Sequence, residues 1–70
     1  MADRLRYEVN DTQGRWSLVL LSASPLNEAQ VTRAAVFLAR AGKLKRNATT
    51  TIDLGIWTAD EMRILEMEAP

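Results

Sequence analysis

The segment from residue 15 to residue 21, RWSLVLL, constrains the fold most, because the strand that it predicts is apolar on both faces. When the residues alternate, three apolar side chains share one face: Trp16, Leu18 and Leu20. Val19 and Leu21 then fall on the opposite face. This pattern is typical of a strand that is covered on both sides.

Another strand precedes this one, and the two together predict a hairpin. Residues 4–9 alternate, with Leu5, Tyr7 and Val9 on one face and charged side chains on the other. The sequence NDTQG lies between the strands, and its Gly14 can supply the positive φ of a tight turn. We therefore expect an antiparallel β-hairpin.

The next segment predicts a helix whose two ends are marked. Asn27 is a favourable N-cap, and Gln30 stands three positions later, which is the capping-box pattern. Small and apolar residues form one stripe along the helix: Val31, Ala34, Ala35 and Leu38. We expect Gly42 to end the helix in the left-handed conformation.

The last part of the chain predicts a third strand and a short helix. Residues 49–54 are rich in β-branched side chains. Thr58 and Glu61 form a second capping box, so a helix from Ala59 to about Met67 is expected. The order predicts one small two-layer α+β domain over residues 1–70, with an antiparallel sheet packed against one main helix and a short C-terminal helix. The place of the third strand in the sheet stays open.

The composition argues against an enzyme. The 70 residues include no cysteine and no histidine. Thiol nucleophiles, zinc–thiolate sites and the commonest general base are therefore missing. The three glycines are scattered rather than gathered in a phosphate-binding loop. We expect no catalytic residues, no cofactor and no metal site.

The distribution of apolar and charged residues predicts a cytoplasmic protein. No apolar run approaches the length of about 18 residues that a membrane span needs. The first residues, MADRLRYEV, carry charges where a secretory signal has its apolar core. We therefore expect no association with a membrane.

Surplus apolar surface makes protein–protein interaction the leading functional hypothesis. A chain of this length buries only about 60% of its unfolded surface, and several apolar side chains lie off the predicted core stripes. The expected partner is another protein or a second copy in a homodimer. The candidate contact surface combines Val36 and its flanking arginines, Arg33 and Arg40, with one of two further patches: the sheet face of Val19 and Leu21, or the side of the last helix with Ile64 and Met67. Chains of this bulk character are typical of small inhibitors, anti-defence proteins and adaptors of phages and plasmids.

Positive charge in the middle of the chain supports an alternative, which is nucleic-acid binding. Residues 29–48 carry no anion and these cations: Arg33, Arg40, Lys43, Lys45 and Arg46. The segment 27–54, with QVTRAAVFLARAGKLKR within it, resembles the second half of winged-helix domains, where a recognition helix ends at glycine and a basic hairpin wing follows. The resemblance implies that these cations contact nucleic acid. Upstream of Asn27, however, the sequence predicts a hairpin instead of a helix-turn-helix, and the net charge of the chain is zero.

Overall fold

The computed structural model describes residues 4–66, and the order of its elements is the predicted one. The strands and helices are β1 (Leu5–Asn10), β2 (Ser17–Ser22), α1 (Glu28–Arg40), β3 (Thr49–Asp53) and α2 (Ala59–Arg63). Two 3₁₀ turns, Leu54–Ile56 and Ile64–Glu66, flank α2. The α-helical part of the C-terminal helix is thus shorter than predicted, and Met67 lies outside the described residues.

The three strands form one sheet in the order β1-β2-β3, with β2 in the centre. β1 pairs antiparallel with β2, which confirms the hairpin, whereas β3 pairs parallel with β2. The α+β class is confirmed, but the sheet is mixed instead of wholly antiparallel. The reason is α1, which carries the chain back to the end of the sheet where β2 begins, so that β3 starts beside Ser17 and runs in the same direction.

The hydrophobic core lies between α1 and one face of the sheet. Leu18 and Leu20 of β2 are fully buried there. The other buried members of the core cluster are Ala34, Ala35, Leu38, Leu54 and Leu65. Most of the predicted helix stripe therefore faces the core, as the spacing indicated.

The second face of β2 is not a second core, which corrects the prediction of a strand covered on both sides. Val19 is only 5% exposed but does not belong to the core cluster. Its neighbours on the two flanking strands are Glu8 and Thr51, which are both exposed. Among residues 4–66, this face therefore consists of a buried valine and a half-buried Leu21 surrounded by polar side chains.

Both predicted capping boxes are present. The backbone N–H of Gln30 donates to the Asn27 side chain at 2.8 Å, and the Gln30 side chain accepts from the Asn27 N–H at 2.9 Å. Thr58 and Glu61 make the same reciprocal pair at the start of α2. Gly42 follows α1 with a φ of +71°, which is the left-handed conformation predicted for it.

The C-terminal segment docks against the side of α1 that faces away from β1. Leu65 is 1% exposed, and its carbonyl accepts a hydrogen bond of 2.7 Å from Arg33. The rings of Phe37 and Trp57 meet edge to face with their centroids 5.7 Å apart. Through these contacts Leu65 joins the core, and Trp57 packs against it.

The docking of Leu65 can be tested by comparing Leu65→Ala with Ile56→Ala. We expect Leu65→Ala to lower the free energy of unfolding by about 2–5 kcal/mol, because it leaves a cavity in the core. Ile56 is 80% exposed, so its replacement should change that free energy by no more than about 0.5 kcal/mol. Denaturant unfolding followed by circular dichroism measures both. Equal effects of the two substitutions would contradict the docked position of the C-terminal segment.

Candidate protein-interaction surface

An apolar groove of about 390 Å³ runs between α1 and the end of β1 with its hairpin turn. The helix contributes five of the lining residues: Thr32, Ala35, Val36, Ala39 and Arg40. The hairpin contributes the other five: Val9, Asn10, Asp11, Thr12 and Trp16. The groove exists because the C-terminal segment covers one side of α1 only, so the side toward β1 is left open.

Two of the most exposed large apolar side chains in the described part of the chain lie along this side of the molecule. Val36 is 43% exposed and lines the groove from the helix. Leu5 is 41% exposed and begins β1. Trp16 is half-buried and lines the groove from the hairpin. The groove thus combines an aliphatic wall, an indole and, at its rim, the cation of Arg40.

An ion pair holds the hairpin turn that forms one end of the groove. The Asp11 carboxylate accepts from Arg15 Nε at 2.6 Å and from the Arg15 backbone N–H at 3.1 Å. Gly14 completes the turn with a φ of +70°, as predicted. The side-chain hydrogen bond from Arg15 is the main reason why the pKa of the Asp11 carboxyl lies below its ordinary value.

The predicted contact residues that lie within residues 4–66 fall on several parts of the fold. Val36 and Arg40 line the groove, but the guanidinium of the neighbouring Arg33 extends to the C-terminal segment and donates to the Leu65 carbonyl. Leu21 and Val19 belong to the opposite face of the sheet, and Val19 is buried there. Ile64 is half-buried in the C-terminal segment. The predicted residue Met67 lies outside the described residues.

The cations predicted for nucleic-acid binding are partly gathered at one end of the molecule. Arg40, Lys43, Lys45 and Arg46 are all exposed, and none makes a salt bridge with a residue between 4 and 66. They lie in and beside the loop that joins α1 to β3. This loop contains no strand, so the basic hairpin wing implied by the winged-helix resemblance is not formed.

A second cleft lies beside a turn whose hydrogen bonds serve the structure of the turn itself. It has a volume of about 340 Å³ and lies at the start of α1, beside Ser22 and Leu54. The Ser22 hydroxyl donates to the Ser24 carbonyl at 2.7 Å and accepts from the Ser24 N–H at 3.2 Å. Both hydrogen bonds stay within the turn. In residues 4–66 no three acidic, histidine or cysteine side chains form a group that could hold a metal ion.

The contribution of β1 to the groove was missed in the sequence. The alternation predicts that Leu5, Tyr7 and Val9 share one face of a strand, but it gives no sign that β1 is an edge strand. The signal that could have shown it is β2 itself, because a strand with apolar residues on both faces takes the central position. None of the helices in the described range is long and apolar enough to cross a membrane.

Comparisons with protein-family models, with curated proteins and with solved structures found no match to this chain.

The ion pair at the end of the groove predicts a pH dependence. The folded-state pKa of Asp11 lies below the unfolded value of about 3.9, so the pair stabilises the fold fully above that pH. This stabilisation is lost as the pH falls through the folded-state pKa. We expect Arg15→Gln to raise the pKa of Asp11, and Arg63→Gln, which removes a distant cation, to leave it unchanged. NMR titration of the Asp11 carboxyl carbon measures this; the same midpoint in wild type and Arg15→Gln would contradict it.

Proposed function

We propose that this chain is a cytoplasmic, non-enzymatic protein-interaction module that binds its partner through the groove between α1 and β1. The observation that carries the proposal is the position of Val36. A β-branched aliphatic side chain, 43% exposed, forms the wall of an apolar groove on a helix whose other sides are packed or polar.

The composition of the groove supports protein as the partner. Interface cores are enriched in aromatic residues and arginine and depleted in lysine and acidic residues. Trp16 and Arg40 are of the enriched kinds, and the one acidic residue of the groove, Asp11, is already paired with Arg15. An apolar groove that is lined in part by an indole can accept an aliphatic or aromatic anchor from another protein.

The proposed surface keeps Val36 and Arg40 from the sequence-based hypothesis and replaces the rest. Val9, Trp16 and Ala39 take the place of the residues that lie elsewhere in the fold. Arg33 is left out because its guanidinium already stabilises the docked C-terminal segment.

Nucleic-acid binding stays a prediction, supported by the exposed cations of the loop between α1 and β3. Three of them lie within four positions of the sequence: Lys43, Lys45 and Arg46. We favour a protein partner because Arg33 is held in a structural contact and because the chain as a whole has a net charge of zero.

The proposal is tested by Val36→Asp, with Ile56→Asp as the matched control. Both substitutions place a carboxylate at an exposed aliphatic position, but only Val36 lines the groove. We expect Val36→Asp to weaken complexes of this protein by at least about tenfold, because a charge would have to be desolvated in the interface. Affinity capture with quantitative mass spectrometry, followed by titration of the recovered partner, compares the three proteins.

Circular dichroism shows whether the variants keep the wild-type fold. A complex that survives Val36→Asp at full affinity would contradict the groove as the binding surface. A complex that is lost with Ile56→Asp but not with Val36→Asp would place the contact near the C-terminal segment instead.

A further inference from the structure

The outer edge of β1 presents an unused pairing surface next to the groove. β1 has an uninterrupted six-residue register with β2, without a bulge, and no strand of the described residues lies on its other side. Arg6, Glu8 and Asn10 are all exposed. A regular, exposed edge is a template on which another strand can pair.

The backbone hydrogen bonds show which groups of β1 point outward. Beyond the last paired residues, the Asp11 N–H donates to the Trp16 carbonyl at 3.1 Å. Bonded residues alternate in an antiparallel ladder, so the bonds to β2 continue at every second residue of β1: Val9, Tyr7 and Leu5. The residues between them direct their N–H and C=O groups to the free edge: Arg6, Glu8 and Asn10.

The opposite edge of β2 agrees with this assignment. The Asn47 N–H donates to the Arg15 carbonyl at 2.7 Å, and the Ser17 N–H donates to the Ala48 carbonyl at 3.1 Å. Arg15 and Ser17 therefore bond toward β3. Trp16, which lies between them, bonds toward β1, as the alternation requires.

The charges on β1 make its outer edge complementary to the same edge of a second copy of the chain. On the face away from α1, Arg6 and Glu8 lie side by side, with Arg6 Nη2 3.0 Å from Glu8 Oε1. An antiparallel copy of β1 related by a two-fold axis at Tyr7 would place Arg6 directly opposite the second copy's Glu8, and Glu8 opposite the second copy's Arg6. Opposite charges in such cross-strand positions stabilise a sheet.

The charge pattern selects this register over its neighbours. A two-fold axis at Arg6 would place the two Arg6 side chains opposite each other, and an axis at Glu8 would do the same with the two carboxylates. Like charges directly opposite are destabilising. A shift by a single residue fails for another reason, because it would set the outward backbone groups of one strand against the inward groups of the other. Among these registers, only the one centred on Tyr7 meets both conditions.

The same register covers exposed apolar residues on the sheet face that α1 packs against. It places Leu5 opposite the second copy's Val9, and Val9 lines the groove across from Val36. The side chain that enters the groove is then the 41% exposed Leu5 of the other copy. A single pairing thus accounts for the exposure of both Leu5 and Val36.

The other edge of the sheet lacks these properties. β3 carries one charged residue, Asp53, and its carboxylate already accepts hydrogen bonds from Arg4 at 2.7 Å and from the Gly55 N–H at 2.8 Å. A second copy of β3 would bring no complementary charge to it.

We propose that this chain forms a two-fold homodimer in which the β1 strands pair antiparallel about Tyr7, making one continuous six-stranded sheet. Leu5 of each copy enters the groove of the other beside Val36. The inference rests on the proposed function as a protein-interaction module and names its partner as a second copy of the chain.

The test is a charge exchange on β1, followed by analytical ultracentrifugation. Wild type should sediment as a species of about twice the chain mass of 7.8 kDa. Arg6→Glu and Glu8→Arg each set like charges opposite each other at two places in the dimer. We expect each to raise the dissociation constant by about tenfold. The double variant Arg6→Glu with Glu8→Arg restores both cross-strand pairs with the signs reversed, so it should return the dissociation constant to near the wild-type value.

Three outcomes would overturn the proposal. One is a wild-type monomer at concentrations up to about 1 mM, where even a weak dimer is populated. Another is a dimer on which the single charge changes have no effect. The third is a double variant that dissociates as readily as the single ones, because the register centred on Tyr7 requires the rescue.

Different results would contradict the homodimer and the groove as a binding surface. Arg6 and Glu8 lie on the sheet face away from the groove, so their exchange acts on the dimer alone. If wild type is a monomer but Val36→Asp still loses a captured partner, the homodimer is wrong and the interaction module stands. If the charge exchange behaves as expected but Val36→Asp still dimerises at full affinity, the strand pairing stands and the groove does not contribute to it.

Discussion

The pairing of β2 on both of its edges is the constraint on which the rest of this fold depends. One set of backbone groups in β2 bonds to β1, and the alternate set bonds to β3. Leu18 and Leu20 are therefore fixed at the centre of the sheet, where α1 covers them. The parallel entry of β3 then requires the chain to cross over through α1, which explains why a 70-residue chain has a mixed sheet.

This arrangement leaves one side of α1 covered and the other side open. The C-terminal segment covers α1 on one side, through Leu65 in the core and the hydrogen bond from Arg33. On the other side, nothing in residues 4–66 covers the outer edge of β1 or the groove above it. The exposed side chains of Leu5 and Val36 therefore lie on the same side of the molecule as the unused backbone groups of the β1 edge.

The sequence predicted local structure well, but it did not predict how distant segments of the chain come together. Capping boxes at Asn27 and Thr58 and the left-handed Gly42 were confirmed, because each depends on residues within a few positions of one another. The direction of β3 depends on a crossover that spans the whole of α1, and no short pattern encodes it. Arg33 shows the same limit: its spacing places it beside Val36 and Arg40, but its guanidinium extends to the C-terminal segment and donates to the Leu65 carbonyl.

Amide hydrogen exchange along β1, resolved residue by residue by NMR, reports directly on pairing between the β1 strands of two copies. In a monomer only the groups bonded to β2 are protected, so Tyr7 and Val9 exchange slowly while Arg6 and Glu8 exchange fast. If β1 pairs with its copy, all four positions exchange slowly in concentrated solution, and only Arg6 and Glu8 lose protection on dilution. Fast exchange of Arg6 and Glu8 at every concentration would contradict it.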